Sequence, residues 1–527
     1  MKKIYIALAA FMTFGITSCD MDKYPDHVIE EGNYMRKYQD FADARIGLYP
    51  AFRGLTTGGL QILSDIQCDD FQASASFSNA LGDVYRWEFQ PSSGEMTNIY
   101  GGYYGEISSC NYFIDKYEDL MNDKISLLEP ISSSQMENIK GFAGEAYTLR
   151  AYCYFMLANF YCKAYTQTDP NTALGLPLQL HVNNTPSDYG SYPKRSTLAQ
   201  TFTQINSDLK TAVELFEAKK EGWGGAKYNV HYVNKYTAAA IQARVALYMG
   251  KYDEALAKAK FVLDEGATKL KKHLYTISEG DTENPEFVNM WINDTTDESI
   301  WQIFQSKDEQ GALTGTYFLG QVDPKGLQNQ KMDYFPSQDL INCYDQANDV
   351  RFQAYFGTEQ IKVTTNGGTN PMWLFRKYSG NPELSKTQSD KYLNMSSPIR
   401  LAESYLIAAE AAAMLGQVAD ASKYLGELRT ARILDYDSDA LKALGKDELL
   451  KEIKLEYRRE FVGENHRLLD LKRWGEGFAR KASQNDDMIH PAGKNLSKDK
   501  SDYRFTWPIP KNESDMPVYK GQQNEGY

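Results

Sequence analysis

Cysteine and histidine are both scarce, with six of each in 527 residues. Beyond position 19 the number of cysteines is odd, so they cannot form a complete disulfide framework. No two of them have the C-x-x-C spacing of a zinc or redox site, and the histidines are scattered along the chain. We therefore expect these cysteines to be small buried apolar side chains. They are Cys68, Cys110, Cys153, Cys162 and Cys343.

Motifs for nucleotide binding and for the common hydrolases are also absent. The sequence contains no G-x-G-x-x-G, no Walker-type phosphate loop, no H-E-x-x-H and no G-x-S-x-G. With 57 basic and 70 acidic residues the net charge is −13, which argues against a nucleic-acid partner. The segment 293–298 is the densest in acidic and amide side chains. It is a candidate calcium site, although it lacks the spacing of an EF-hand loop.

Long apolar runs are limited to the amino terminus. Lys2 and Lys3 precede a mostly apolar run at 4–16, which is shorter than the ~20 residues that a membrane-spanning helix needs. The residues that follow, GITSC at 15–19, resemble a bacterial lipobox, in which the cysteine is lipidated and becomes the first residue after cleavage. We predict a signal peptide at 1–18 and a lipid anchor on Cys19. Asp20 and Asp22 resemble a surface-export signal.

What the chain has in abundance is helical periodicity. Apolar residues recur at three- and four-residue steps in 141–165, which predicts a helix. Residues 234–266 predict two short helices joined at Gly250, as in a tetratricopeptide unit, and the same pattern returns at 399–425 around Gly416. We expect a mostly α-helical fold in which tetratricopeptide-like pairs form a scaffold. Long loop insertions and a few short strands, one of them at 299–305, complete it.

A last helix is predicted at about 447–474. Its apolar stripe alternates with many charged residues. Two interpretations of those charges stay open. They could form a solvated face with pairs such as Glu456–Arg459 and Glu464–Arg467, or they could form buried arginine–carboxylate pairs with the scaffold.

Aromatic residues in the loop insertions suggest a sugar-binding surface. The chain has 37 Tyr and 7 Trp. An aromatic ring can stack on the apolar face of a sugar, while carboxylate and amide groups bond its hydroxyls. The alternative for each ring is burial in the core. The candidate ligand residues are Asp70, Tyr85, Trp87, Asn98, Trp291 and Tyr317.

Several motifs occur in the order of a known family. They are GEAYTLRAYCYF at 144–155, RLAESYLIAAEA at 400–411, EYRREFVGENHRLLDLKRW at 456–474, WPIP at 507–510 and QNEGY at 523–527. Together with the lipobox they resemble the SusD/RagB family of nutrient-binding lipoproteins over essentially the whole mature chain. Glu525 stands where the family has proline.

The resemblance implies a single SusD-like domain at 19–527, with an N-terminal portion at about 19–310 and a C-terminal portion at about 311–527. It implies an outer-membrane, surface-exposed lipoprotein that captures oligosaccharides for a SusC-like TonB-dependent transporter and is not an enzyme. It requires no cofactor. The first alternative is a tetratricopeptide-type scaffold that binds proteins and has no sugar site, and the second is a glycoside hydrolase.

Overall fold

The computed structural model describes residues 34–182, 192–218, 229–278, 285–320, 332–362, 369–519 and 521–527. Cys19 and the predicted signal peptide at 1–18 lie outside the described residues. The fold is mostly α-helical, as predicted. In the amino-terminal half the main helices are α1 Tyr38–Gly47, α2 Pro50–Leu55, α3 Gly59–Gln67, α4 Gly82–Arg86, α5 Gly94–Met121, α6 Ser133–Tyr161 and α7 Leu198–Glu217.

The helices of the second half continue this series. They are α8 Lys235–Tyr248, α9 Tyr252–Phe261, α10 Ala267–Leu270, α11 Glu286–Asn293, α12 Thr316–Leu319, α13 Gln338–Ile341, α14 Val350–Tyr355, α15 Leu401–Met414, α16 Val418–Arg432, α17 Asp439–Lys442, α18 Lys446–Phe461, α19 Arg467–Trp474 and α20 Lys511–Ser514. Among the described helices none has the length and apolar character needed to cross a membrane.

The long helices pack side by side in one array. Helices α5, α6, α7, α8 and α9 follow one another in space, and α15, α16 and α18 continue the array beyond α9. The starts of α6 and α7 are set by capping boxes, in which Ser132 and Thr197 accept from the backbone three residues on. Local sequence thus sets where these helices begin, and packing of their apolar faces sets where they lie.

The two tetratricopeptide-like pairs are present and adjacent. Helices α8 and α9 turn at Gly250 with φ of 72°, and α15 and α16 turn at Gly416 with φ of 78°. These are left-handed conformations that favour glycine. Although the pairs are far apart in sequence, α9 packs on α15. The small side chains of both pairs, such as Ala243 and Ala409, are fully buried and allow that close approach.

One predicted helix needs correction. The helix predicted at 447–474 is two helices, because the chain reverses at Gly463 with φ of 77° between α18 and α19. A Cβ at Gly463 would lie 2.9 Å from the ring of Phe375, so the turn also lets two segments approach closely.

The strands are short and form two-stranded antiparallel pairs. They are β1 Phe71–Ala73, β2 Leu174–Pro177, β3 Arg195–Thr197, β4 Ser299–Trp301, β5 Tyr334–Pro336, β6 Phe356–Lys362, β7 Thr369–Phe375, β8 Ile399–Arg400, β9 Phe478–Ala479 and β10 Ser497–Lys498. Strand β1 pairs with β5, so that Phe71 lies opposite Pro336. This pairing ties the loop after α3 to the insertion after α12.

Two apolar clusters lie under these elements. The larger fills the helical array, and the smaller lies around β1, β5, β6, β7, α11 and α14. Both clusters draw residues from each side of position 310, since Phe71 and Phe318 belong to the same smaller cluster. The division of the chain near 310 stays a prediction.

Candidate functional site

The charged residues of α18 are buried and ion-paired. The carboxylate of Glu460 is fully buried and lies 2.9 Å from Arg400, 3.0 Å from Arg432 and 3.2 Å from Arg351. Burial alone would raise its pKa, but the three guanidinium groups hold that pKa well below the ordinary value. Of the two interpretations left open by the sequence, buried pairing to the scaffold is therefore confirmed. We call Arg351, Arg400, Arg432, Glu298, Glu456 and Glu460 the ion-pair core.

Asp70 belongs to a similar arrangement and does not face solvent. It is fully buried, and Arg458 Nε donates to its Oδ1 at 2.6 Å. Burial raises the pKa of Asp70, although Arg458 opposes that rise. Its neighbour Asp69 accepts two bonds from Arg467 at 2.8 and 2.9 Å. The structure therefore does not support Asp70 as a ligand residue, because its side chain is buried and pairs with Arg458 of α18.

The expected exposure of Tyr85 and Trp87 is also wrong. Both side chains are 0% exposed. Trp87 donates Nε1–H to the carbonyl of Gln67 at 2.7 Å, and its ring packs on Phe478 and Phe505 with centroids 5.5 and 4.9 Å away. The Arg480 guanidinium covers the ring of Tyr85 at 3.7 Å. Neither ring offers a free face on which a sugar could stack.

Trp291 is half-buried at the edge of the smaller apolar cluster. The ammonium of Lys377 lies 4.3 Å from its ring centroid, and Tyr355 and Tyr378 pack against it edge-on. Burial lowers the pKa of Lys377 to about 8, with the Glu464 carboxylate opposing that fall. These contacts occupy the ring, so Trp291 serves the packing of α11.

The acidic groups of the loop at 293–298 point to separate protein partners. Asp294 accepts from Asn381 at 2.9 Å, Asp297 accepts from the Tyr275 hydroxyl, and Glu298 pairs with Arg432 at 2.7 Å. In the described part of the chain, no three His, Cys, Asp or Glu side chains are grouped closely enough to hold a metal. The loop therefore lacks the converging oxygen ligands that a calcium site needs.

Tyr317 is also half-buried, and it lies at a place where loops meet. A Cβ on Gly59 would lie 2.8 Å from the Tyr317 hydroxyl and 3.2 Å from Leu81, so the glycine allows these side chains to approach the start of α3. Burial raises the pKa of Tyr317, and the carboxylates of Asp333 and Glu95 raise it further. Both carboxylates therefore act electrostatically on the Tyr317 hydroxyl.

Asn98 lies on the same side of α5 as Glu95. The two residues are one turn apart, and Asn98 is exposed. The structure thus places Leu81 and Tyr317 beside the start of α3, with the carboxylates of Glu95 and Asp333 acting on Tyr317 and with Asn98 one turn beyond Glu95. We call this surface the Tyr317 face, and it comprises Leu81, Glu95, Asn98, Tyr317 and Asp333.

The loop that carries Leu81 is strained and held in place. Asn79 and Leu81 have φ of 69° and 57°, left-handed values that are uncommon for residues other than glycine. The Tyr334 hydroxyl donates to the carbonyl of Ala80 at 2.6 Å, and the Ser78 N–H donates to Asp333 at 2.6 Å. Strain of this kind persists only where surrounding contacts enforce it, and it clusters at ligand sites.

Sequence reasoning proposed Asn98 and Tyr317 and missed the rest of this face. Leu81 and Glu95 lie more than two hundred residues before Tyr317 in the sequence, whereas Asp333 follows it by 16 residues. The glycine pair at 58–59 was the available signal. Gly58 has φ of 63°, and a Cβ there would lie 2.5 Å from Ala312 Cβ, so these glycines mark a close approach between two loops.

The fold and the face together define a tetratricopeptide-type helical scaffold protein whose loops form a candidate ligand surface. The chain belongs to the SusD/RagB-like family. Residues 354–527 match the model of the SusD family, and residues 42–247 match the model described as starch-binding associating with outer membrane.

Individual relatives agree with this assignment. The SusD-like protein P25 of Formosa agariphila is 22% identical over 519 residues, which cover 90% of each chain. A SusD superfamily protein of Bacteroides thetaiotaomicron is 23% identical with a TM-score of 0.73, over 93% of this chain and 99% of that one. Another, from Bacteroides vulgatus, is 24% identical with the same TM-score and coverage. At this identity the solved structures establish a shared fold.

Proposed function

We propose that this protein binds a glycan at the Tyr317 face and is not an enzyme. The observation that carries the proposal is a half-buried tyrosine beside a loop held in a strained conformation, with two carboxylates acting on the tyrosine hydroxyl. A sugar can stack on the ring while Asn98, Glu95 and Asp333 bond its hydroxyls. The family model described as starch-binding supports a carbohydrate ligand.

We propose a binding protein and not an enzyme because several of its carboxylates are already engaged in contacts within the protein. Glycoside hydrolysis needs two carboxyl groups flanking the scissile bond, one of which must be free to transfer a proton. Asp69 and Asp70 are ion-paired, and Asp333 holds the strained loop through the Ser78 N–H. Incubation with the glycan that binds should therefore release no reducing sugar.

We place the protein at the cell surface, with lipidated Cys19 as its anchor in the outer membrane and a SusC-like TonB-dependent transporter as the partner that receives the glycan. The lipobox and the outer-membrane description of the family model support this placement. Stable anchoring takes more than one acyl chain. Cys19→Ala should therefore move the protein from the membrane to the soluble fraction of fractionated cells, and continued membrane association would contradict the anchor.

The test of the binding site is calorimetric titration of the lipid-free chain with a panel of neutral oligosaccharides. Tyr317→Ala should weaken binding by about 1–3 kcal/mol, taking the scale of aromatic stacking on bases. Tyr317→Phe, which keeps the ring, is the matched control and should bind nearly as the wild type does. Equal affinity of the alanine variant would remove the Tyr317 face from the site. Failure of every glycan to bind would favour the protein-binding scaffold instead.

A further inference from the structure

A second concave site lies outside the Tyr317 face. Four segments converge on it: the loop after α6, the end of α19, the loop after β10 and the carboxyl terminus. The cleft has a volume of about 370 Å³. That volume falls in the range of about 300–1,000 Å³ that small-ligand sites occupy. None of its lining residues belongs to the Tyr317 face.

Tyr503 lines this cleft with an accessible ring. It is 40% exposed, and Phe304 at 43% is the other strongly exposed aromatic residue within the described ranges. Phe304 does not line the cleft. The cleft thus combines enclosure with an exposed aromatic surface, which are the two features that a stacked sugar requires.

The ring of Tyr503 is held in place before any ligand arrives. Its centroid lies 5.0 Å from that of Tyr527, with the ring planes at 78°. Gly526 has φ of 90°, and a Cβ there would lie 2.3 Å from the Tyr503 ring. The glycine therefore lets the backbone pass against the ring. A ring already fixed loses little entropy on binding.

The charges around the cleft balance. Three lysines and three carboxylates line it, so its formal charge is zero. Lys163 pairs with Glu525 at 3.1 Å, and Lys472 donates to the carbonyls of Asn159 and Cys162 at 2.6 Å each. A balanced set of donors and acceptors suits hydroxyl groups better than it suits an ion. The six charged residues are Lys163, Lys472, Lys500, Glu476, Asp502 and Glu525.

We propose that this cleft is a second carbohydrate-binding site, which takes a ring of a neutral glycan stacked on Tyr503. The inference rests on the proposed function, since it assumes that the protein binds glycans, but it concerns a different part of the surface. Two sites on one chain would hold a long polysaccharide more tightly than either site alone, because the second contact is intramolecular.

The experiment titrates the lipid-free chain with maltoheptaose, cellohexaose, laminarihexaose, mannohexaose and xylohexaose in a calorimeter. For at least one probe we expect two binding events per chain. Tyr503→Ala should weaken one event by at least about fivefold, the low end of the stacking scale, and leave the other unchanged. Tyr503→Phe should bind within about threefold of the wild type because it keeps the ring. Phe304→Ala is the control for an exposed aromatic outside the cleft and should change neither event.

The outcomes separate this proposal from the function on which it rests. Binding that Tyr317→Ala abolishes and Tyr503→Ala leaves intact would overturn the second site and keep the proposed function. Binding that depends on Tyr503 alone would keep the cleft and overturn the Tyr317 face. No binding of any probe to the wild type would overturn both. Circular dichroism melts of every variant verify that a lost event reflects the site and not unfolding.

Discussion

The ion-pair core and the Tyr317 face are both rich in polar groups, but they use them differently. In the ion-pair core each carboxylate is matched by arginines, as where Glu456 pairs with Arg351 at 2.5 Å and with Arg429 at 2.7 Å. On the Tyr317 face Asn98 is exposed, and Tyr317 is only half-buried. Polar composition therefore does not identify a binding surface by itself. What distinguishes the face is that some of its polar groups, such as the Asn98 amide, remain exposed to solvent. If this contrast is right, substitutions in the ion-pair core should lower the free energy of unfolding and leave glycan affinity unchanged. Substitutions on the Tyr317 face should weaken glycan binding and leave the free energy of unfolding unchanged.

Glu460→Ala should have the largest effect on stability. It leaves three buried arginines without a shared carboxylate, and removal of one partner of a buried ion pair costs roughly 3–5 kcal/mol. Urea unfolding measures the loss. Glu448→Ala is the control on the first turn of the same helix, where the glutamate is exposed, and it should cost less than about 1 kcal/mol. Equal losses in the two variants would mean that the core pairs contribute nothing specific.

Trp87→Ala should also destabilise the fold strongly. Truncation of a fully buried tryptophan costs about 3–5 kcal/mol, since it leaves a cavity and here also loses the bond to Gln67. Glycan affinity of the folded fraction should stay at the wild-type value. Thermal melts and calorimetric titration of the same sample test both statements. Weakened glycan binding with an unchanged melting temperature would return Trp87 to the ligand site.

Trp87 also shows where reasoning from sequence fails. Its neighbours in sequence are mostly polar or charged, which suggested exposure, but the rings that bury it, Phe478 and Phe505, come from nearly four hundred residues away. Burial of a loop residue depends on such distant contacts, and local composition carries no record of them. Asp70 was misassigned for the same reason, because its partner Arg458 is remote.

Features that depend on local sequence were predicted correctly. The helical pairs around Gly250 and Gly416 follow from apolar periodicity and from a turn residue that tolerates positive φ. The break at Gly463 was missed because the charged and apolar pattern continues across it without interruption. That the two pairs adjoin in space could not be predicted, since local sequence carries no record of a contact across the long insertion between them.

Glu106 offers the opposite case, because it is a buried carboxyl that forms no ion pair with any of the described residues. Burial raises its pKa to about 8, and the Cys110 thiol opposes this only weakly. The native protein therefore keeps the group protonated at neutral pH, while the unfolded chain ionises above its ordinary pKa of 4.5. Glu106 therefore makes its full contribution to the free energy of unfolding below pH 4.5. As the pH rises from there towards 8, that free energy falls by about 1.4 kcal/mol per pH unit.

Glu106→Gln should remove that dependence. The amide does not titrate, so the variant should gain stability relative to the wild type at each step from pH 5 to pH 6.5 to pH 8, as measured by urea unfolding. Glu129→Gln, at an exposed position, is the control and should follow the wild type at every pH. A constant difference between Glu106→Gln and the wild type over this range would show that Glu106 is already ionised in the fold.

Asn98→Ala should give the smallest effect, and it falls on the face alone. Asn98 is exposed on the first turns of α5, so its loss leaves no cavity and the melting temperature should hardly change. One hydrogen bond to a ligand hydroxyl contributes about 0.5–1.5 kcal/mol, so glycan affinity should fall by roughly two- to twelvefold. Asn122→Ala, an exposed asparagine at the other end of the same helix, is the matched control and should bind as the wild type does. Calorimetric titration of both variants with one glycan decides the point. If the two asparagines behave alike, the ligand does not reach α5, and the binding surface is limited to the loops that carry Leu81 and Tyr317.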